Sequence, residues 1–351
     1  MKKYLAASKE RTTAYLGRFL ADKETELAPI GPRAAAVARD IHEFCTRGKM
    51  IRAAMTLLGW EAAGGRPSDT VIPVAAAMEM IHAGLLIHDD VMDRDDFRRG
   101  KPAFHRRYAD ALAHETKEPR HTGEALAICA GDVAFFLAAE SVMTAAIPDP
   151  HGAAMRRTFF RECVLVGLGQ MDDVYLGARL APVTVADILP VYRYKTARYT
   201  FSMPLILGAI AAGGDAKVRD GLDAVGEKIG TLFQIKDDEL GLFGEEADIG
   251  KPTGSDIREG KKTILFSLLT DMAHGTDKER LSRTLGNPDI GSDDIAFVRT
   301  LAEKSGALGK VRAQAATIDG EARGLIAALT VGDEVKRLLN ELIDYNRDRG
   351  F

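Results

Sequence analysis

Cysteine is scarce in this chain: three in 351 residues, Cys45, Cys129 and Cys163. Their number is odd and their spacing is not that of metal ligands, which excludes a disulfide framework and suits a reducing, cytoplasmic setting. Each is expected as a small buried apolar residue. Net charge is also small, −4 with an isoelectric point near 6.1, so the chain has no electrostatic footprint for nucleic acid. No uncharged apolar run reaches the ~18 residues of a membrane span. The nearest candidate, residues 200–214, is shorter and holds Pro204 and several glycines. The opening residues, MKKYLAASKERTTAYL, meet charge too early for the apolar centre of a signal peptide. A charged helix, a cleaved signal and a membrane anchor are therefore not expected there. Strand-like alternation bounded by hairpin turns is missing as well.

What is present is apolar material on a helical period. With 46% hydrophobic and 28% charged residues, the chain has ample material for a large core. Helical periodicity covers 37–63, stopped by Gly64, Gly65 and Pro67, then 71–88, which is apolar nearly all round. It continues through 123–146, 153–176, 185–196, 200–212, 218–243, 262–274 and three further runs. The expected fold is all-α with ten or more helices. The stretches 117–123 and 275–291 read as short polar loops, without the Gly/Ser- or Pro-rich composition of flexible linkers. One domain over residues 1–351 is expected.

The chain is organised around residues 79–105, EMIHAGLLIHDDVMDRDDFRRGKPAFH. Asp89 and Asp93 lie one turn apart on one helix face, with Asp90 beside them. At roughly 6 Å and an effective dielectric of about 20, each close carboxylate pair repels by about 2–3 kcal/mol. Mg²⁺ reverses that sign, because it takes a few carboxylate oxygens and completes its shell with water and substrate phosphate oxygens. A second acidic stretch occupies 233–263, where Gln234, Asp237, Asp238 and Gly241 fall at i, i+3, i+4 and i+7. A polar loop with Lys251, Arg258, Lys261 and Lys262 follows it. Acid on a helix end and then a basic loop repeats the order of Asp89 to Arg99. Two such halves facing each other across a cavity would hold several Mg²⁺ ions and a polyanion. Taken singly, an Asp-Asp pair is more often a solvated face. Five aspartates among eight residues, at the end of a helix too apolar to be a surface helix, outweigh that reading. A calcium loop lacks its glycine and terminal glutamate here.

These residues resemble the trans-isoprenyl diphosphate synthases, the polyprenyl synthetase family, over nearly the whole chain. The first family motif, with its Arg-Arg-Gly-x-Pro tail and a His, is matched by Asp89, Asp90, Asp93, Arg98, Arg99, Gly100, Pro102 and His105. Upstream, RGKMIRA is similar to the family's Gly-Gly-Lys-x-x-Arg-Pro segment and gives Lys49 and Arg52. It departs at Arg47 and Ala53. AGDVAF, GQMDD at 169–173 and YRYKTARYTF at 192–201 follow in the family's order. The resemblance is to geranylgeranyl diphosphate synthase-like members, and it implies a helical bundle around a deep central cavity, the isoprenoid synthase type I fold.

The resemblance also implies roles. Asp89, Asp90, Asp93, Asp237 and Asp238 would hold Mg²⁺, three ions per active site. Arg98, Lys195, Lys251 and Lys261 would clamp an allylic diphosphate. Lys49, Arg52, His82 and Arg99 would hold isopentenyl diphosphate, and Thr196 and Gln234 would set oxygen dipoles near the carbocation. The last proton would leave on the departing diphosphate, so no protein base is sought. His88 and His105 stay unassigned, and Tyr192, Tyr194 and Tyr199 are expected as packing residues. Gly241 stands where the family's second motif usually has a third aspartate; water is expected to fill that gap, and Gly241→Asp to change little.

Product length follows from the same resemblance. Bulky residues four and five before the first aspartate close the family's product tunnel, and here those positions are Leu85 and Gly84. The glycine is expected to leave the floor open, giving twenty to twenty-five carbons, with Ile81 the next stop and Met78 after it. A homodimer without nucleic-acid or membrane partners is implied. A non-catalytic partner subunit would be expected to lose the first aspartate motif. A terpene cyclase would have no use for Lys49, Arg52 and His82.

Overall fold

A computed structural model describes residues 1–66, 68–244 and 253–349 of the chain. It is all-α, apart from a hairpin of two-residue strands, β1 (Phe97–Arg98) and β2 (Lys101–Pro102). Two compact units divide the chain: unit 1 comprises Met1–Thr158 and Pro204–Arg219, and unit 2 comprises Phe159–Met203 and Asp220–Phe351. Their segments alternate along the sequence, so the single span expected for a domain is shared between two units.

Unit 1 begins with α1 (Lys2–Leu27), α2 (Pro32–Thr46), α3 (Ile51–Ala62) and α4 (Ile72–Met92). Helix α1 corrects the expectation of no charged helix at the N-terminus. It buries Leu5, Ser8, Thr12, Leu16 and Leu20. Two of those five positions carry hydroxyls, which hid the stripe; Thr12 settles its own by donating to the Ser8 carbonyl at 2.8 Å. The single run expected over 37–63 is two helices, because Met50 adopts a left-handed backbone (φ 51°) just before α3.

Helix α4 starts with Pro73 in its first turn, where a missing N–H costs nothing. Its apolar circumference is buried at Met78, Met80, Ile81 and Ile87, each 6% exposed or less. Burial of such side chains contributes about 1.5–3 kcal/mol apiece. After the hairpin come α5 (Phe104–Ala111) and α6 (Pro119–Thr144). Two stretches, Asp69–Met92 and Pro119–Thr144, are long and apolar enough to cross a membrane, but the first is 78% buried inside the protein, which marks α4 as a core helix. Less than half of the most apolar stretch of α6 is buried, and the helix keeps Ile128, Phe136 and Met143 exposed. The last unit 1 helix, α9 (Met203–Ala211), follows a stretch of unit 2.

Unit 2 holds α7 (His151–Ala178), most of which lies beyond Thr158, α8 (Val185–Val191), a π-helix (Tyr192–Ser202) and most of α10 (Ala216–Phe243). The π-helix joins two runs that periodicity separates at 197–199. Helices α11 (Ser255–Glu259), α12 (Ile264–Met272), α13 (Gly275–Thr284), α14 (Ser292–Lys304), α15 (Ala307–Ala328) and α16 (Asp333–Arg347) complete it. Their core gathers Ile235, Leu242, Leu265, Leu269, Val298 and Leu308.

Arg198 fastens the π-helix to its neighbours. Its Nε and Nη2 donate to Glu162 at 3.0 and 2.8 Å, and its Nη1 to Glu227 at 2.6 Å. Both Arg198 and Glu162 are largely out of water, at 11% and 4% side-chain exposure. A bidentate fork of this kind fixes orientation as well as charge.

Candidate active site

In unit 1 the acid set sits on the last turn of α4. Asp93 ends the helix, its N–H donating to the Asp89 carbonyl at 2.8 Å. Asp89 and Asp93 are partly exposed on that turn. Asp90 points the other way and is fully buried. Arg98 Nε donates to Asp90 Oδ1 at 2.6 Å, and Arg98 Nη2 to Asp95 at 3.1 Å. Burial pushes the Asp90 carboxyl up to about 6, against the pull of Arg98. Asp90, expected as a metal ligand, and Arg98, expected on phosphate, are thus paired with each other in this structure.

The hairpin explains how Arg98 reaches back. Its turn residues Arg99 and Gly100 both have positive φ, 52° and 71°, the combination that a tight two-residue hairpin demands. Arg98 is thereby folded onto Asp90, while Arg99 turns to Phe44, its guanidinium 5.7 Å from the ring centroid.

A cationic group surrounds His82, two turns before Asp89. Burial first, then the charges of Arg52, Arg99 and Arg98, hold its imidazole well below the usual histidine range. His82 is therefore neutral, and a neutral imidazole keeps one N–H to donate. Beneath the group lies Glu79, 3% exposed, whose Oε1 accepts the Ala53 N–H at 2.9 Å. Lys49 is exposed on the turn leading into α3.

Gly84 is not an open floor. A Cβ placed on it would lie 2.5 Å from the Phe135 ring and 2.8 Å from the Gly131 carbonyl oxygen. Gly84 and Gly131 are where α4 and α6 cross, and Phe135 of α6 fills the space that the missing side chain leaves. The expectation of an open tunnel at Gly84 is corrected on that ground. Ile81 is buried and Leu85 half-buried. Of the unassigned histidines, His88 approaches the Ile128 carbonyl at 2.9 Å and packs edge-on against Phe135. His105 is buried, 3.5 Å from Asp96.

In unit 2, Thr196 Oγ1 donates to Gln234 Oε1 at 2.6 Å, and Gln234 Nε2 donates to Asp238 Oδ1 at 2.8 Å. The Tyr192 hydroxyl donates to Asp238 Oδ2 and accepts the Ile264 N–H at 3.1 Å. Tyr192 is therefore more than packing. Burial, followed by the charge of Asp256, raises the Asp238 carboxyl well above the usual range, and both of its oxygens meet internal donors. Asp237 is more open, 40% exposed, and meets Arg349 Nη2 at 2.7 Å. The Arg349 guanidinium also lies 3.8 Å from the Phe233 ring centroid. Lys195 Nζ donates to Asp173 at 2.5 Å. Lys261 lies 3.4 Å from Asp256 and 3.3 Å from Glu259. Lys251 lies outside the described residues.

Among the described residues, no three acidic, histidine or cysteine side chains are gathered tightly enough to hold a metal ion by themselves. The partly exposed carboxylates of Asp89, Asp93 and Asp237 offer oxygen donors only, which fits Mg²⁺, an ion that takes a few carboxylates and keeps water and phosphate ligands. Five partners escaped the sequence reading: Glu79, Phe135, Asp173, Asp256 and Arg349. All but Arg349 lie within stretches the sequence singled out: Glu79 in 79–105, Phe135 in AGDVAF, Asp173 in 169–173 and Asp256 in 233–263.

The polyprenyl synthetase family profile matches residues 35–301. A short chain isoprenyl diphosphate synthase of Methanothermobacter thermautotrophicus is 38% identical over 248 residues, 71% of each chain. A geranylfarnesyl diphosphate synthase of Aeropyrum pernix is 33% identical over 88% of this chain and 92% of its own. A crystal structure of geranylgeranyl pyrophosphate synthase from Corynebacterium glutamicum, complexed with isoprenyl diphosphate and magnesium, is similar at a TM-score of 0.92 and 30% identity, covering 99% of both chains.

Proposed function

Because the chain belongs to the polyprenyl synthetase family and is a prenyltransferase, we propose that it condenses isopentenyl diphosphate head to tail with an allylic diphosphate (dimethylallyl, geranyl or farnesyl). The product is a longer all-trans prenyl diphosphate of twenty to twenty-five carbons, and diphosphate is released. One observation carries the reading: Asp89 and Asp93 stand on the last turn of the same helix whose His82 is ringed by Arg52, Arg98 and Arg99. Carboxylates for a cation and cations for an anion at the two ends of one helix segment suit a metal-bound diphosphate beside a second diphosphate.

Asp89, Asp93 and Asp237 hold Mg²⁺, three ions per active site, while Asp90 and Asp238 orient the residues around them. When bound, the metal supplies Lewis-acid stabilisation to the departing diphosphate. Lys195, Lys261 and Arg98 bind the allylic diphosphate, with Lys195 exchanging Asp173 for phosphate oxygens. Lys49, Arg52, Arg99 and neutral His82 bind isopentenyl diphosphate; the arginines contribute planar forks and His82 a single N–H. Thr196 and Gln234 direct oxygen dipoles at the allylic cation. The final proton leaves on diphosphate. Phe135 ends chain growth from α6, the part that the sequence suggested for Ile81 and then Met78 of α4. The names of the relatives, from short chain to geranylfarnesyl, support a range of lengths that includes the one proposed.

The protein works in the cytoplasm as a homodimer. Apolar side chains left in water support the second copy: Ile128, Phe136 and Met143 on α6, and Val164, Leu168, Met171 and Tyr175 on α7. Purified protein given labelled isopentenyl diphosphate, Mg²⁺ and each allylic primer in turn is expected to form chain-elongated product. Asp237→Ala is expected to lower that turnover by at least about 10²–10³-fold, and near-normal turnover in that variant would sink the assignment.

A further inference from the structure

The place of the missing third aspartate in the second acidic motif is occupied. A Cβ built on Gly241 would stand 2.0 Å from Asp256 Oδ2 and 3.0 Å from its Cγ. The carboxylate of Asp256, brought in by α11, thus fills the volume in which a side chain of α10 would lie. We propose that Asp256 takes the part of that third aspartate, as an oxygen ligand to the divalent cation held at Asp237. The inference rests on the prenyl synthase reading above and deepens it: water does not fill the gap.

Position 241 is one helical turn beyond Asp237, on the same face, so a carboxylate over its Cα looks toward the same side as Asp237. The Asp256 side chain is held in place. Its peptide carbonyl accepts the Lys261 N–H at 3.0 Å, and its Oδ1 lies 3.4 Å from Lys261 Nζ. That leaves Oδ2 turned toward α10. Only 13% of the side chain is exposed, and its charge reaches the neighbouring Asp238. Gly241 and Asp256 fit each other, because a side chain at 241 would meet the Asp256 carboxylate and turn it from this place. The ligand has moved from the helix to the following segment, and the helix has given up its own side chain to admit it. A hard cation accepts either source, since it selects for oxygen and for position.

Mn²⁺ binding to the full-length protein tests this, read by electron paramagnetic resonance of free Mn²⁺ with inorganic diphosphate present, and with a melting temperature for every variant. Asp256→Ala is expected to weaken binding about 10–100-fold, and Asp256→Asn, which keeps the shape, to do the same. Gly241→Asp alone is also expected to weaken binding, since two carboxylates cannot share one volume. Gly241→Asp combined with Asp256→Ala restores the family's usual arrangement and is expected to return affinity to within about threefold of wild type. In an Asp237→Ala background, Asp256→Asn is expected to cost nothing further. Wild-type affinity in Asp256→Asn overturns the proposal, as does a folded double variant that binds as weakly as Asp256→Ala. Condensation by the wild type is scored separately, so failure of the reaction and failure of the ligand assignment are distinguished.

Discussion

At the crossing of α4 and α6, Phe135 fills the space beside Gly84 and His88 the space beside Gly131, and this settles what substitution there does. Gly84→Phe would drive a second ring into the Phe135 ring and the Gly131 carbonyl. Overpacking of this kind costs about 1–3 kcal/mol or more, so the expected result is a lower urea midpoint. Phe135→Ala is the variant that opens space. It is expected to shift the product to longer chains by one or more isoprene units; an unchanged length on chromatography of the dephosphorylated products would remove Phe135 from that role. At this scale the sequence was legible where position alone decides. Helical spacing placed Asp89 and Asp93 on one turn and His82 two turns earlier. It could not tell Asp90 from Asp89, because the difference is made by Arg98 returning across a hairpin. Nor could it place Asp256 over Gly241, because that contact depends on the path of the chain after α10.

Among the elements, the π-helix has the largest bearing on the chemistry, since it carries Tyr192, Lys195 and Thr196. A π-helix is rare and needs outside support; here Arg198 supplies it by pairing with Glu162 and Glu227. Arg198→Ala strands the buried Glu162 carboxylate, so the expected loss is about 3–5 kcal/mol of unfolding free energy in urea. Activity is expected to fall with it, since Lys195 and Thr196 lose their anchor; a variant with wild-type stability would show the network to be dispensable. Apolar period located α4, α6 and α7 to within a few residues. It missed the break at Met50, which is a matter of backbone handedness, and the π winding at 197–199, which polar and aromatic residues mask.

For the whole molecule, the structure leaves large apolar residues of α6 and α7 in water. Phe136 is 75% exposed and Met171 67%, and a solitary protein of this kind has little reason to display them. Light scattering on the wild type is expected to give the mass of a dimer, and Phe136→Glu or Met171→Glu to shift it toward the 38.0 kDa of one chain; an unchanged dimer in both variants would place the interface elsewhere. The alternation of the two units has a consequence for synthesis. Unit 1 opens with Met1–Thr158 but closes only with Pro204–Arg219, so a ribosome must deliver Phe159–Met203, which belong to unit 2, before unit 1 can be completed. Those residues in turn wait for Asp220 onward. Domains of many proteins fold in order as they emerge, whereas here the nascent chain holds two unfinished structures at once, and its early apolar helices depend longest on being kept from other chains.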